Sequence, residues 1–437
     1  MQRADGLIVR PITPKDKASL SKFYVDTFSE AYGEDEASIG PWADDLLADN
    51  HPTVHDADVF VVVDPAQDEQ LVSATMLIPQ VWRYEDIEIP VGRPELVATH
   101  KDYRNRGLVR ELFDAVHERS AALGHTLQVI TGIPYFYRQF GYAMAVELGS
   151  SFQIPLYAVP EREGDQEPDY TVRRATMDDI PTLMRWYNEF AAKHLLTVVR
   201  DRAIWEYELT GRSPQTERTR AYYVVVRKDG TEVGYVLLGA TTQFGRLLCL
   251  EWYIGAEDSY LRSYDDTLRG MKAVAQNFEG EKPNFLQFDS ALYHTLKPFV
   301  DRKRTWNTAV NPTTYTWYLR VADLPAFIRS IAPVLERRLE GSLANCFTGE
   351  VAIDLFSRQG LYMRFERGRL AEVDDRQPAV GKDDAGFPFH MFLNLMFGHR
   401  SIDEMGYILP DVYANRKAHV LLGSLFPTKA SWLAPID

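Results

Sequence analysis

Apolar and polar residues alternate along this chain in blocks that repeat. The stretch VRPITPKDKASLSKFY from Val9 aligns with VRRATMDDIPTLMRWY from Val172. The pairs Val9/Val172, Arg10/Arg173, Thr13/Thr176, Asp16/Asp179, Leu20/Leu183 and Tyr24/Tyr187 are identical. Each copy predicts a short strand, a Thr-x-x-Asp helix start and an amphipathic helix. A hairpin pattern follows in both: DVFVVVD into LVSATMLI, and AYYVVVRKDG into EVGYVLLG, with Asp229-Gly230 as its turn signal. The shared order of elements points to a duplication. Between the copies, AVPEREGDQEPDY at 158–170 is charged and proline-bearing, as a linker is. From about Thr313 the pattern changes to a strand and helix, then a meander of strands, then the helical FHMFLNLMFGHRSIDEMG, an α+β ordering.

The chain therefore divides into 1–157, a linker at 158–170, 171–312 and 313–437. The expected fold class is α/β and α+β. With 437 residues it is too long for a single core. Hydrophobic residues at 45% and charged ones at 25% fit an ordinary globular protein. No apolar run approaches the roughly 20 residues of a membrane span. The start, MQRADGLIVRPITPKDK, lacks the apolar core of a signal peptide. Two cysteines, Cys249 and Cys346, give neither a disulfide framework nor a zinc pattern, so a cytoplasmic location is expected. The ten histidines include no H-E-x-x-H motif, and no metal is expected. A formal charge of −14 argues against nucleic acid as a partner.

Against that acidic background, ELVATHKDYRNRGLVREL from Glu95 gathers Lys101, Arg104, Arg106 and Arg110 around Gly107. Leu96-Val97-Ala98 reads as the end of a buried strand. Leu108, Val109, Leu112, Phe113 and Val116 then recur on one face of a helix, placing Gly107 in its first turn. The unpaired N–H groups of that turn and the helix dipole favour an anion, and glycine admits a phosphate to the backbone. The cluster suits a pyrophosphate.

One helix further on lies ITGIPYFYRQFGYAMAVELG, from Ile130. A strand, R-x-x-G-x-x at a helix start, a second strand and FYRQFGY together resemble a GNAT-type N-acetyltransferase of the enhanced-intracellular-survival subgroup. Val109 stands where that family's loop ends in a small residue. The resemblance implies tandem GNAT-like mixed sheets flanked by helices, the second copy degenerate, followed by a sterol-carrier-like domain. It implies acetyl-CoA as co-substrate, with backbone groups of Val97, Ala98 and Thr99 on the pantetheine arm. The amides of Asn105, Arg106, Gly107, Leu108, Val109 and Arg110, following Arg104, would cradle the pyrophosphate. Tyr137 falls where the family places its general acid, and Asp437 offers the terminal carboxylate that serves there as base. The second copy has no such loop after LLCLEWYIG, so coenzyme binding is expected in the first domain alone. A hexamer is implied by analogy.

The chemistry agrees with these roles. A tyrosine is protonated at pH 7 and can donate to a leaving thiolate, while an amine must lose a proton before it attacks. Between Lys22 and Arg83 the sequence has no lysine or arginine and many carboxylates, a field that would attract a cationic amine. The expected activity is direct acetyl transfer to a primary amine of an aminoglycoside-like or polyamine-like molecule or a lysine side chain. Glu30 and Trp42 are placed by the resemblance in the acceptor cleft. The competing expectation is a non-catalytic protein that senses coenzyme A, or carries an apolar ligand in its last domain.

Overall fold

The computed structural model describes residues 2–437 apart from 34–35, 149–150, 163, 165, 217–218, 244, 279–281, 290–291, 293–294, 300–308, 312–314, 435 and 437. The two repeated openings fold alike, and for the same local reason. Strand β1 (Ile8–Pro11) leads into helix α1 (Pro14–Tyr32), and strand β8 (Tyr170–Arg174) leads into helix α4 (Ile180–Ala191). At the first turn Asp16 accepts from the Thr13 amide at 2.6 Å and from Arg10 at 2.6 Å. In the second copy Asp179 accepts from the Thr176 amide at 2.7 Å and from Arg173 at 2.7 Å. A carboxylate at the positive end of a helix, tied back to the preceding strand by arginine, fixes the entry angle in both.

The first sheet runs β1, β2 (Val59–Asp64), β3 (Gln70–Tyr84), β4 (Ile87–Thr99), β5 (Leu127–Ile130), β15 (Thr316–Arg320) and β6 (Ala143–Glu147). Strand β9 (Leu196–Val198) pairs with the far end of β3. The second sheet runs β14 (Ala309–Asn311), β7 (Ser151–Pro155), β13 (Phe285–Phe288), β12 (Arg246–Ile254), β11 (Glu232–Gln243), β10 (Arg220–Arg227) and β8. Helix α2 (Ile39–Leu47) packs with α1 on the first sheet, and α3 (Leu108–Ala122) covers its other face. Helix α6 (Tyr260–Gln276) packs on β8. This is the mixed α/β architecture of tandem sheets flanked by helices.

Two strands cross between the sheets. Strand β7 follows the first domain in sequence but pairs with β13 and β14 of the second sheet. Strand β15, from the start of 313–437, lies antiparallel between β5 and β6 of the first sheet. Sheet membership therefore departs from the sequence division at 157 and 313, because each strand closes a hydrogen-bonding edge left open in the other half. Trp317 and Leu319 of β15 face the core, where one apolar cluster runs from Trp82 and Val91 of the first sheet to Phe327, Ile353 and Phe392 of the last domain. That domain is a five-stranded sheet of 349–414 with helices on it, and its helix Phe389–Met396 turns Phe392, Leu393, Leu395 and Met396 inward as core. Among the described residues no helix is long and apolar enough to cross a membrane.

Candidate active site

Strands β4 and β5 are parallel, but they pair only at Val91/Leu127 and Gly92/Gln128. Beyond Gly92 they part. On its other side β4 carries a bulge: Ala98 faces Ala74 and Glu95 faces Met76, so Leu96 and Val97 stand opposite Thr75 alone. Leu96 takes φ +51 to make this possible. A bulge re-aims the side chains and amides around it. Of the three residues expected along a pantetheine arm, Ala98 and Thr99 remain in register with β3. Their carbonyls also accept from Ser73 at 2.8 Å and from Arg104 at 3.3 Å. Val97, in the bulge, has no partner residue on β3.

The loop after β4 makes one 3-10 turn at Lys101–Tyr103, then uses two left-handed residues, Asn105 (φ +64) and Gly107 (φ +78), to enter α3. The Arg104 amide donates to Lys101 at 3.2 Å, and the Arg110 amide returns to Gly107 at 3.1 Å. Between them, the amides of Asn105, Arg106, Gly107, Leu108 and Val109 donate to no protein atom among the described residues. Five consecutive free donors at a helix start form a concave anion site. A Cβ on Gly107 would meet nothing within 4 Å, so the loop is open to a ligand there. These residues fit a pyrophosphate. Arg110 differs from the expected set, since its amide is used within the helix while its guanidinium reaches Gln139 at 3.0 Å. Val109 does not narrow the loop, because its side chain packs beside Phe113 and Tyr137. Arg106 stacks on Tyr103 at 4.7 Å, and its carbonyl accepts from Arg3 at 2.9 Å. In a Gly107→Ala chain the left-handed turn costs about 1–2 kcal/mol. With a methyl at the mouth of the cradle, the expected calorimetric result is acetyl-CoA affinity roughly tenfold weaker.

In the second copy the corresponding helix α6 begins with an anion of its own. Asp258 accepts from the Ser259 amide at 2.8 Å and from Tyr170 at 2.9 Å, with Arg227 and Arg262 nearby. A carboxylate from the chain takes the place that a phosphate would need.

Tyr137 sits in the 3-10 turn Phe136–Phe140, reached through left-handed Gly132 (φ +126) and Tyr135 (φ +71). It is 5% exposed and packs on Phe113, Tyr142 and Tyr318. A Cβ on Gly132 would lie 3.2 Å from its hydroxyl, and at φ +126 an L side chain is strained, so glycine leaves the phenol its place without strain. Burial, then the negative charge of Glu95, then Tyr315, Tyr32 and Tyr318, push the Tyr137 pKa well above that of a free phenol. Tyr24, on α1, is also raised by burial and by Glu95. Glu95 thus acts electrostatically on both phenols and is held by Arg93 at 2.5 Å. Arg93 itself lies over Trp317 at 5.3 Å.

Strand β15 completes the wall. The Tyr315 hydroxyl accepts from the Gly132 amide at 2.6 Å and donates to its carbonyl at 2.5 Å. The Tyr318 hydroxyl accepts from the Tyr135 amide. Sequence reasoning missed Glu95, Arg93, Tyr315 and Tyr318. Glu95 and Arg93 had a signal, as charged residues inside an otherwise apolar strand. The two tyrosines had none, lying more than 170 residues from the loop they brace.

The expected acceptor residues are not brought to Tyr137 in the same way. Glu30 pairs with Lys101 at 2.8 Å, and that bond holds its carboxyl below the usual range. Trp42 is 4% exposed, in the cluster beneath α1 and α2. Much of the acidic interval is engaged locally. Asp26 pairs with Lys22, Asp56 with Lys17, Asp58 with Arg119 and Glu69 with Lys15, while Asp45 accepts from the Ser213 amide and Asp64 from Tyr103. Asp437 lies outside the described residues. The Ile436 carbonyl just before it is buried and accepts from Gln80 at 2.9 Å and Arg93 at 3.4 Å. No group of three or more possible metal ligands occurs among the described residues.

With this geometry in place, residues 9–145 match the family model described as an acetyltransferase (GNAT) domain. The first domain is a GNAT acetyltransferase domain. The match covers the bulged strand, the loop of free amides and Tyr137, and it assigns this domain to the N-acetyltransferases. No curated protein matches the sequence. Solved structures match the fold over nearly the whole chain. A probable N-acyltransferase from Enterococcus faecalis V583 is 14% identical, with a TM-score of 0.68 over 99% of this chain and 100% of that one. A GCN5-related N-acetyltransferase from Kribbella flavida is 17% identical, with a TM-score of 0.65 over 99% and 100%. Eis1 from Mycobacterium abscessus is 13% identical, with a TM-score of 0.61 over 97% and 98%. At these identities the likeness is one of fold.

Proposed function

We propose that this GNAT domain transfers acetyl from acetyl-CoA directly to a primary amine. The observation that carries the reading is the meeting of five free amides, a bulged strand and a buried phenol along one edge of a parted strand pair. The Asn105–Val109 amides take the pyrophosphate, and the pantetheine arm runs in the gap between β4 and β5. The Val97 amide serves as donor to the thioester carbonyl, where negative charge develops as the amine attacks. Tyr137 keeps its proton at neutral pH and passes it to the departing thiolate. Glu95 draws the acceptor's ammonium into the site and takes up the proton it must lose. Asp437, following Ile436 beside Arg93, is the second carboxylate proposed for that task.

The acceptor is a cationic amine, small or on a peptide. The support is Glu95 acting electrostatically on Tyr24, Tyr137 and Tyr315, since aromatic faces and one carboxylate attract an ammonium. The Eis-like subgroup, with its sterol-carrier-like last domain and homo-oligomeric state, is part of the same proposal. Its support is the match of the whole chain to Eis1.

The test is a thiol-release assay with acetyl-CoA and a panel of aminoglycosides, polyamines and lysyl peptides. We expect amine-dependent release of one thiol per acetylated product. Saturable acetyl-CoA binding without thiol release from any amine would favour the coenzyme-sensing alternative instead.

A further inference from the structure

The second domain has no R-x-x-G-x-x loop after LLCLEWYIG, yet a charged network lies in its core. Arg200 and Glu251 are both buried, and their side chains meet at 2.7 Å. Glu251 also accepts from Tyr235 at 2.5 Å, and Arg200 donates to Tyr222 at 3.3 Å. The Arg200 guanidinium lies 4.4 Å from the Tyr187 ring, 5.5 Å from Trp205 and 5.4 Å from Trp432. A buried ion pair of this kind adds little to stability, because desolvation offsets its attraction. What the network holds is therefore more informative than what it contributes to folding.

It holds the last residues of the chain. Arg200 donates to the Ala434 carbonyl at 2.8 Å, and Trp432, from the same segment, closes its aromatic box. Upstream, the Leu195 amide donates to Ala430 at 2.8 Å and the Trp432 amide to Leu196 at 2.9 Å, so the tail lies along the start of β9. Two residues past Ala434, the Ile436 carbonyl sits between Gln80 and Arg93 of the first sheet. Gln80 is fixed by Trp82 at 2.7 Å. The other arm of Arg93 holds Glu95. Buried contacts thus link the core of the second domain to Ala434, and Ile436 to Arg93 and Glu95, whose charge acts on Tyr137.

We propose that the second domain serves as a clamp on the chain's last residues, and that Arg200 is a positioning residue for Glu95. It acts through Trp432, Ala434, Ile436 and Arg93; this rests on the acetyltransferase reading above. When Arg200 lets go of Ala434, the Ile436 carbonyl leaves Arg93, whose buried donor must then find another acceptor. Glu95 moves with it. A displacement of about 1 Å at a reacting group can cost on the order of 100-fold in rate.

The test compares the wild type with Arg200→Met/Glu251→Gln, which removes both buried charges together, and with Arg200→Lys, which keeps the cation. Three measurements are made on the full chain: carboxypeptidase release of terminal residues, acetyl-CoA binding by calorimetry, and kcat by thiol release. In the double variant we expect rapid release of residues through Ala434, kcat at least tenfold lower, and acetyl-CoA affinity within twofold of wild type. Arg200→Lys should recover part of both the protection and kcat. A tail that stays protected, or kcat within twofold of wild type despite a freed tail, would overturn the proposal. So would a fall in coenzyme affinity equal to the fall in kcat, which marks general damage to the fold. A wild type that releases no thiol would remove the acetyltransferase reading and the role at Glu95 with it, while tail release would still decide whether the clamp exists.

Discussion

Replacing Tyr137 by phenylalanine lowers kcat about 10²- to 10⁴-fold, the range expected when a positioned proton donor is lost. Acetyl-CoA affinity should hardly change, because the pyrophosphate cradle lies at the start of α3 and the ring itself is kept. Stability should change little as well, since no hydrogen bond of that hydroxyl is observed among the described residues. The pH dependence follows from the raised pKa. Tyr137 remains protonated through and beyond the ordinary phenol range, so kcat/KM should rise as the acceptor amine deprotonates and show no fall due to Tyr137 below about pH 10. Single-turnover kinetics at several pH values separate these effects. A Phe variant within threefold of wild type would remove the phenol from the chemistry.

Acid weakens this fold well before its carboxylates are protonated. His125 and His194 are buried, and burial lowers the pKa of each to about 4. In the unfolded chain each titrates near 6.5. Above that pH both states are neutral and the histidines contribute no pH dependence. Between 6.5 and 4 the unfolded state binds more protons, so stability falls as pH falls, and below 4 the loss is complete. At pH 5 the loss is about 2 kcal/mol for each of these two. His117 behaves in the same direction and bonds to Tyr142 at 2.9 Å, inside the cluster that carries Tyr137. The urea midpoint should therefore drop between pH 7 and pH 5, and a His125→Gln chain should show a smaller drop. Equal midpoints at the two pH values would refute the argument.

The parts of this molecule legible in the sequence are those written in short-range patterns. The repeat of Arg10, Thr13 and Asp16 as Arg173, Thr176 and Asp179 encodes a cap, and caps are local. The loop of free amides was legible for the same reason, as a strand end, a glycine and a helix face within twenty residues. Arg110 shows the limit: its charge suggested a phosphate contact, but the first helical turn had already claimed its amide. Glu30 and Trp42 show a different limit. An acidic run says nothing of which lysines will neutralise it, and the partners of Glu30 and Asp58 come from distant elements. Tyr315 and Tyr318 reach the site only because a strand from far along the chain fills the gap between β5 and β6.

That borrowed strand bears on how the protein comes into being. During synthesis the first 157 residues emerge with the edges of β5 and β6 unfilled, and they stay so until β15 leaves the ribosome. The wall around Tyr137 cannot be completed domain by domain. Exposed edges of this sort invite pairing with other chains. A gene fragment that stops between the halves would yield an aggregation-prone half-sheet rather than a minimal enzyme, and recombination at that boundary would be selected against.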